Sequence, residues 1–296
     1  MNSGKYLNVW LLAVRPKTLG AALAPIMIGT TVAFTEGKGH TGAALAALLG
    51  ALLIQIGTNF SNDYFDFIKG ADTEERLGPV RATQAGLVTP QAMLKNCVLV
   101  FGLAILVGIY LVLRGGWPIV IIGILSIASG ILYTGGPMPL GYLGLGDLFV
   151  LIFFGPVAVG GTYYVQSLEI SEVVILAGFG PGLLATALLA VNNLRDEPTD
   201  KKVGKRTLAV RFGPGFVRAE YLAAFALALI LPFVLALRTD AHWFACLSAL
   251  IIIPGGSAIR QITSGVKGIE LNETLAVTGK LIIIYSVLFS LGWWIG

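Results

Sequence analysis

The chain has 296 residues, of which 56% are apolar and only 12% charged, and it contains 38 glycines. A soluble globular domain carries about 25% charged residues; half that value with abundant glycine is the composition of a polytopic membrane protein, not of a water-soluble enzyme. The net charge of +4 does not point to nucleic acid, because the basic residues gather in loops on one side of the membrane.

In chain order, apolar runs predict transmembrane helices at about 18–35, 41–62, 93–113, 117–134, 147–167, 171–194, 217–237, 242–260 and 275–295. Spans of ~20 residues leave only short loops, so residues 1–296 are expected to form a single all-α transmembrane domain of about nine helices. No small-residue cleavage site precedes the first run, so the N-terminus is expected to be retained. The fourth run ends near Tyr133, where Gly135-Gly136-Pro137-Met138-Pro139 breaks it. Cys97 and Cys246 lie in apolar stretches and read as small buried hydrophobes. His40 and His242, in short polar connections, are expected to be structural rather than metal ligands.

Orientation follows from the cations. With a cytosolic N-terminus, only Lys38, Arg114 and Arg238 of the 20 Lys and Arg residues fall outside. The positive-inside rule therefore predicts N-in, C-out in the cytoplasmic (inner) membrane. The long loops 63–92 and 195–216 are then both cytosolic and rich in acidic and basic residues, which is unlike a mere connector.

Those loops also hint at duplication. The second span ends in Asn62-Asp63-Tyr64-Phe65-Asp66, followed by Gly78-Pro79-Val80-Arg81. The sixth ends in Asn192-Asn193-Leu194-Arg195-Asp196, followed by Asp200 and Gly204-Lys205-Arg206. Both place Asn and Asp four apart before Gly and Arg, four spans apart, as expected of two four-helix repeats plus one helix.

Asn59, Asn62, Asp63 and Asp66 are three or four apart and share one helical face; Asp72 lies just beyond. Asp196 and Asp200 are again four apart. A single Asp in such a place is more often a helix cap, but two matched clusters call for a common partner. Close carboxylates repel, and a divalent cation relieves this. Mg²⁺ takes one or two carboxylates, keeps waters and uses phosphate oxygens, so the pattern suits a Mg²⁺-bridged diphosphate. Arg76, Arg81, Lys205 and Arg206 stand near in sequence to neutralise the remaining phosphate oxygens. Tyr133 has a ring to face an organic cation, with an interfacial tyrosine belt as the competing reading. Arg15-Pro16-Lys17-Thr18 opens the first span on the same side.

At these residues the chain resembles the UbiA superfamily of intramembrane aromatic prenyltransferases, over its whole length. The first motif is Asn62-Asp63-Tyr64-Phe65-Asp66 continuing to Asp72, and the second is Asp196-Glu197-Pro198-Thr199-Asp200. Arg15-Pro16-Lys17-Thr18, Gly78-Pro79-Val80-Arg81 and Gly204-Lys205-Arg206-Thr207-Leu208-Ala209-Val210-Arg211 look like the branch of the menaquinone pathway that acts on 1,4-dihydroxy-2-naphthoate. The general first motif would place its last Asp at position 70, which is Gly here; Asp72 is the nearest substitute. Pro198 is expected to start a helix, so Asp196 and Asp200 would straddle a break.

The resemblance implies a UbiA-like bundle that joins a polyprenyl diphosphate to the naphthoate ring with loss of CO₂ and pyrophosphate. It implies Mg²⁺ held by Asn62, Asp63, Asp66, Asp72, Asp196 and Asp200, and diphosphate held by Arg76, Arg81, Lys205 and Arg206. Asp66, Asp196, Asp200 and Tyr133 would be catalytic. Arg15, Lys17, Asn59 and Asn193 would contact the acceptor. Another aromatic acceptor such as 4-hydroxybenzoate or homogentisate is the alternative within this class, and a secondary transporter the alternative outside it. A transporter places ionisable groups at mid-membrane, yet segments 43–56, 98–112 and 173–191 carry none.

Overall fold

The computed structural model describes residues 3–71 and 77–296, with side chains from Asn8 onward. Among these residues all regular structure is helical: α1 (Ser3–Val14), α2 (Pro16–Thr35), α3 (Thr41–Ile68), α4 (Pro90–Gly115), α5 (Trp117–Leu132), α6 (Gly146–Phe153), α7 (Pro156–Ser167), α8 (Glu172–Lys202), α9 (Leu208–Thr239), α10 (Ile252–Thr263) and α11 (Leu271–Ile295). Among the described residues, eight helical stretches are long and apolar enough to cross a membrane, and α5 is a shorter apolar helix. Together they account for the nine predicted runs.

Helix starts are signalled locally. The Thr89 hydroxyl accepts from the Ala92 amide and Pro90 follows at the first helical position; Ser171 caps α8 through the Val174 amide and Thr207 caps α9 through Val210. Both histidines make structural contacts. His40 caps α3 by accepting from the Ala43 amide through Nδ1, and His242 stacks on Trp293 at 4.0 Å. Cys97 is buried, with Sγ 3.6 Å from the Gly57 carbonyl.

Three boundaries differ from the sequence expectation. The fifth run is two helices, because the chain turns at Gly155 (φ −115°, ψ −115°) before Pro156. Gly155 lies against α8, where Gly178 and Gly182 receive it: a Cβ on Gly178 would fall 2.7 Å from Pro156 Cα, and one on Gly182 3.0 Å from Gly155 Cα. The second correction concerns Pro198, which does not start a helix. It lies inside α8, which continues to Lys202, so Asp196 and Asp200 stay one turn apart on the same helix. The missing proline amide falls in the closing turns, where the Thr199 hydroxyl bonds the Asp196 carbonyl at 2.8 Å. Third, the eighth run begins as a 3₁₀ segment, Trp243–Ile251, before α10.

The main core joins α2, α7, α8, α9 and α11 through Ile28, Val159, Leu184, Phe225, Tyr285 and Phe289. α4 and α5 stand to one side; Leu99, Ile105, Leu106, Ile121 and Ile124 are exposed, as lipid-facing helices require. α3 packs most closely on α4 and α8 on α9, so each motif helix has its successor as a neighbour.

The tight crossing makes a test. Gly178→Ala meets backbone that cannot retreat, an overpacking cost of about 1–3 kcal/mol. Gly108→Ala on α4 meets nothing within 4 Å and gains helix propensity. Thermal unfolding in detergent should show a lowered midpoint for Gly178→Ala only; equal midpoints would refute the crossing.

Candidate active site

The last turns of α3 carry Asn62, Asp63 and Asp66, and the helix sends them in two directions. Asp66, 2% exposed, faces a cavity of about 1020 Å³ that Asn62, Arg81, Tyr133, Asp196 and Asp200 also line. Asp63 does not face it. Its two oxygens accept from the Ala82 and Thr83 amides, each at 3.1 Å, so it anchors the segment carrying Arg81. Asp63, expected among the metal ligands, thus stands outside the cavity lining and serves as a loop anchor. Arg81 in turn reaches Asp66, with Nη2 3.3 Å from Oδ2.

The segment after α5 closes the same end. Tyr142 donates its hydroxyl to Asp66 Oδ1 at 3.2 Å. Lys69 donates to the carbonyls of Thr134 (2.6 Å) and Gly136 (3.0 Å), and the Thr134 hydroxyl donates to Asn62 Oδ1 at 2.9 Å. Lys69 and Lys205 each lie 4.9 Å from the centre of the Tyr142 ring, within cation–π range. Tyr133 lines the cavity beside them. Desolvation first, then the carboxylates of Asp147, Asp200 and Asp66, push its phenol well above the usual range, so it stays protonated. A Cβ at Gly146 would lie 2.8 Å from the Tyr133 hydroxyl, which is why a residue without a side chain stands there.

The second motif arrives from α8. Asp196 is held by its chain neighbour: Arg195 Nε lies 2.7 Å from Oδ1 and Nη2 2.6 Å from Oδ2. Arg195 also donates to Asn192 and to Asn272 of α11, both at 2.8 Å, and Asn272 donates to the Leu77 carbonyl at 3.2 Å. Asp200 lies 4.0 Å from Lys205 Nζ, which is itself 3.2 Å from Asp66 Oδ1. The two motifs therefore meet through one ammonium.

Arg15 and Asn193 line the cavity, and Asn193 also donates to Asp147 at 3.4 Å. Arg15 takes a left-handed conformation (φ 53°) at the break before α2, a strained state for a non-glycine residue. Asn59 is turned away from the cavity: its amide donates to the Val14 carbonyl (2.8 Å) and Thr18 (3.0 Å), fixing the α1–α2 junction to α3. Lys17 and Arg206 are exposed and do not line the cavity. The Arg206 amide instead bonds the Tyr142 carbonyl at 2.9 Å. Asp72 and Arg76 lie outside the described residues.

Tyr142, Arg195 and Asn272 were not among the expected site residues. Tyr142 had a signal, a tyrosine in the Gly- and Pro-rich segment after the fourth span. Asn272, some 200 positions from α3 in sequence terms, had none. No three acidic, histidine or cysteine side chains gather as a ready metal centre among the described residues. What the site offers is carboxylate and amide oxygens from two helices, interleaved with cations, at the head of an apolar shaft.

The anchoring by Asp63 is testable on the protein alone. Asp63→Asn replaces one acceptor oxygen with a donor facing a buried amide, a loss of about 1–3 kcal/mol. The outcome expected is trypsin cleavage after Arg81, a residue only 7% exposed, at a rate well above that of the parent protein. An unchanged rate would show that the loop does not depend on Asp63.

The chain is similar over nearly its whole length to known proteins. A 1,4-dihydroxy-2-naphthoate octaprenyltransferase of Haemophilus influenzae is 37% identical and covers 100% of both chains. The enzyme of the same name from Mycobacterium tuberculosis is 39% identical over 94% of each chain. Among solved structures, a UbiA homolog from Archaeoglobus fulgidus bound to GPP and Mg²⁺ shares the fold with a TM-score of 0.68 at 16% identity, over 95% of this chain and 99% of that one. The UbiA prenyltransferase family matches residues 22–266, and the chain belongs to that family.

Proposed function

We propose that the protein transfers a polyprenyl group from polyprenyl diphosphate to 1,4-dihydroxy-2-naphthoate, a step of menaquinone biosynthesis. The observation that carries the reading is the shared ammonium: Asp66 and Asp200, from the two motif helices, face Lys205 at the head of one cavity. The relatives from Haemophilus influenzae and Mycobacterium tuberculosis, which cover 100% and 94% of the chain, bear the name of this activity.

The donor set suits a hard divalent cation. Asp66, Asp196 and Asp200 with Asn62 supply oxygens only, and two carboxylates with phosphate oxygens satisfy Mg²⁺. Bound there, Mg²⁺ would supply charge stabilisation to the departing pyrophosphate. Arg81 and Lys205 are placed to pair with its oxygens. Breaking the carbon–oxygen bond leaves an allylic cation. Tyr133 lines the cavity next to the acid cluster, and its ring offers that cation a π-face. The electron-rich naphthoate carbon bearing the carboxylate forms the new bond, and loss of CO₂ restores the aromatic ring as the quinol of demethylmenaquinone. Among the groups that line the cavity, Arg15 and Asn193 are assigned to the acceptor, with Arg15 as charge partner for its carboxylate.

The shaft serves the tail. Its walls of α4, α5, α6 and α7 include Val112, Ile119, Ile127, Phe153 and Val157, and its volume is at the upper end of small-molecule sites, about 300–1,000 Å³. All charged lining groups lie at one end. A transporter needs its binding groups near mid-membrane, so this distribution disfavours that reading.

The test is to reconstitute the protein with dihydroxynaphthoate, a polyprenyl diphosphate and Mg²⁺ and to look for the prenylated quinol and its oxidised quinone. Asp66→Ala and Asp200→Ala are expected to lose about 10²–10³-fold in turnover, as for removal of a principal electrostatic group, and chelation should abolish product. Full activity in Asp66→Ala or Asp196→Ala would overturn the proposal; product from 4-hydroxybenzoate but not dihydroxynaphthoate would change the acceptor.

We further propose the cytoplasmic (inner) membrane with the N-terminus and site facing the cytosol, on the distribution of Lys and Arg. A cysteine at position 38 in whole cells should then react with an impermeant maleimide, and one at position 202 should not. The reverse pattern would invert the topology.

A further inference from the structure

Lys205 stands where the two motif helices approach. Its Nζ is 3.2 Å from Asp66 Oδ1 and 4.0 Å from Asp200 Oδ1, and its side chain is only 15% exposed. A Mg²⁺ joining the same two oxygens needs them at ~2.0–2.1 Å, which leaves no place between them for an ammonium. The cation and Lys205 compete for one position.

The charges around that position sharpen the competition. Asp66 is shared by Arg81 and Lys205, and Asp196 is gripped by Arg195 on both oxygens. A metal ion arriving alone must displace Lys205 while Arg81 and Arg195 repel it. Diphosphate changes the balance, because its oxygens give the displaced ammonium a new charged partner. Lys205 is built for such a move. Its amide is tied to the Asp200 carbonyl at 2.9 Å, just after Gly204 at φ +75°, so the backbone stays with α8. The four-carbon stem carries a compact charge that can swing between partners.

We propose that Lys205 competes with the divalent cation for the carboxylate oxygens, making metal capture conditional on diphosphate, so that metal and diphosphate bind as a pair. The inference rests on the metal–diphosphate reading of the site. It assigns Lys205 a second task beside pairing with phosphate: it holds the acidic pair in place and screens it from metal that comes without substrate.

The test uses the full-length protein in detergent, with Mn²⁺ as the probe and equilibrium dialysis to count protein-bound Mn²⁺ with and without inorganic pyrophosphate. The parent protein should take up Mn²⁺ at least about tenfold more tightly when pyrophosphate is present. Lys205→Gln should bind Mn²⁺ alone at least about tenfold (~1.4 kcal/mol) more tightly than the parent, with a reduced pyrophosphate effect. Lys205→Arg, which keeps the charge, should behave as the parent does. If Lys205→Gln binds Mn²⁺ alone no more tightly than the parent, while Asp66→Asn and Asp200→Asn lose pyrophosphate-supported uptake, the competition is refuted and the metal site stands. If Asp66→Asn and Asp200→Asn take up Mn²⁺ as the parent does, the metal site itself falls, and this inference with it.

Discussion

The site is organised by one buried carboxylate. Asp66 is 2% exposed, and its oxygens receive Arg81, Lys205 and Tyr142 from three separate segments. Desolvating a carboxylate costs several kcal/mol, which is offset only when the partners have good geometry. Each of the three segments thus has an electrostatic reason to close over the end of α3. Loss of the carboxylate would take an ionic partner from both Arg81 and Lys205. The same residue therefore governs the shape of the site and its charge.

The surrounding pattern of charge pairs explains why the chemistry sits at the edge of the bundle. Ionisable groups deep in hydrocarbon are costly, and the shaft between α4, α5 and α7 is accordingly apolar. At its head Asp66, Asp196 and Asp200 each face a cation, and loop backbone is tied to side chains. Asp63 holds the amides of Ala82 and Thr83, Lys69 holds the carbonyls of Thr134 and Gly136, and Asn272 holds the Leu77 carbonyl. Irregular backbone at this depth is tolerated because its polar groups are satisfied by protein.

The sequence made the spans legible because hydropathy reports directly on what must face lipid. It also made Asn62, Asp66, Asp196 and Asp200 legible, since four-residue spacing places them on common faces. Spacing does not say what a face meets. Asp63 sits one residue from the cavity-facing Asn62, and a rotation of 100° per residue turns it toward the loop that it anchors. Asn59, a turn earlier, meets the α1–α2 junction instead of a ligand. Lys17 and Arg206 shared a motif with residues of the site, but neighbouring positions in an extended or turning segment point to different sides. Arg195 and Asn272 were missed because their significance is a contact across α8 and α11, for which a single sequence holds no signal. The turn at Gly155 was hidden by an uninterrupted apolar run, although Gly155-Pro156 is a breaker pair.

The two motifs show how far a duplicated pattern can diverge in its local chemistry. Asn62 and Asp66 correspond to Asn192 and Asp196, yet the residue before the aspartate is Phe65 in the first and Arg195 in the second. Asp196 therefore finds its guanidinium next door, in a bidentate pair fixed by α8 itself. Asp66 has no such neighbour and draws its guanidinium from Arg81, on a loop that Asp63 must hold in place. One half of the site thus pairs within α8, backed by Asn272 of α11, while the other depends on a loop, a lysine and a tyrosine arriving together. The second half draws its partners from separate segments, whereas Arg195 is braced beside Asp196 by Asn192 and by Asn272 of α11.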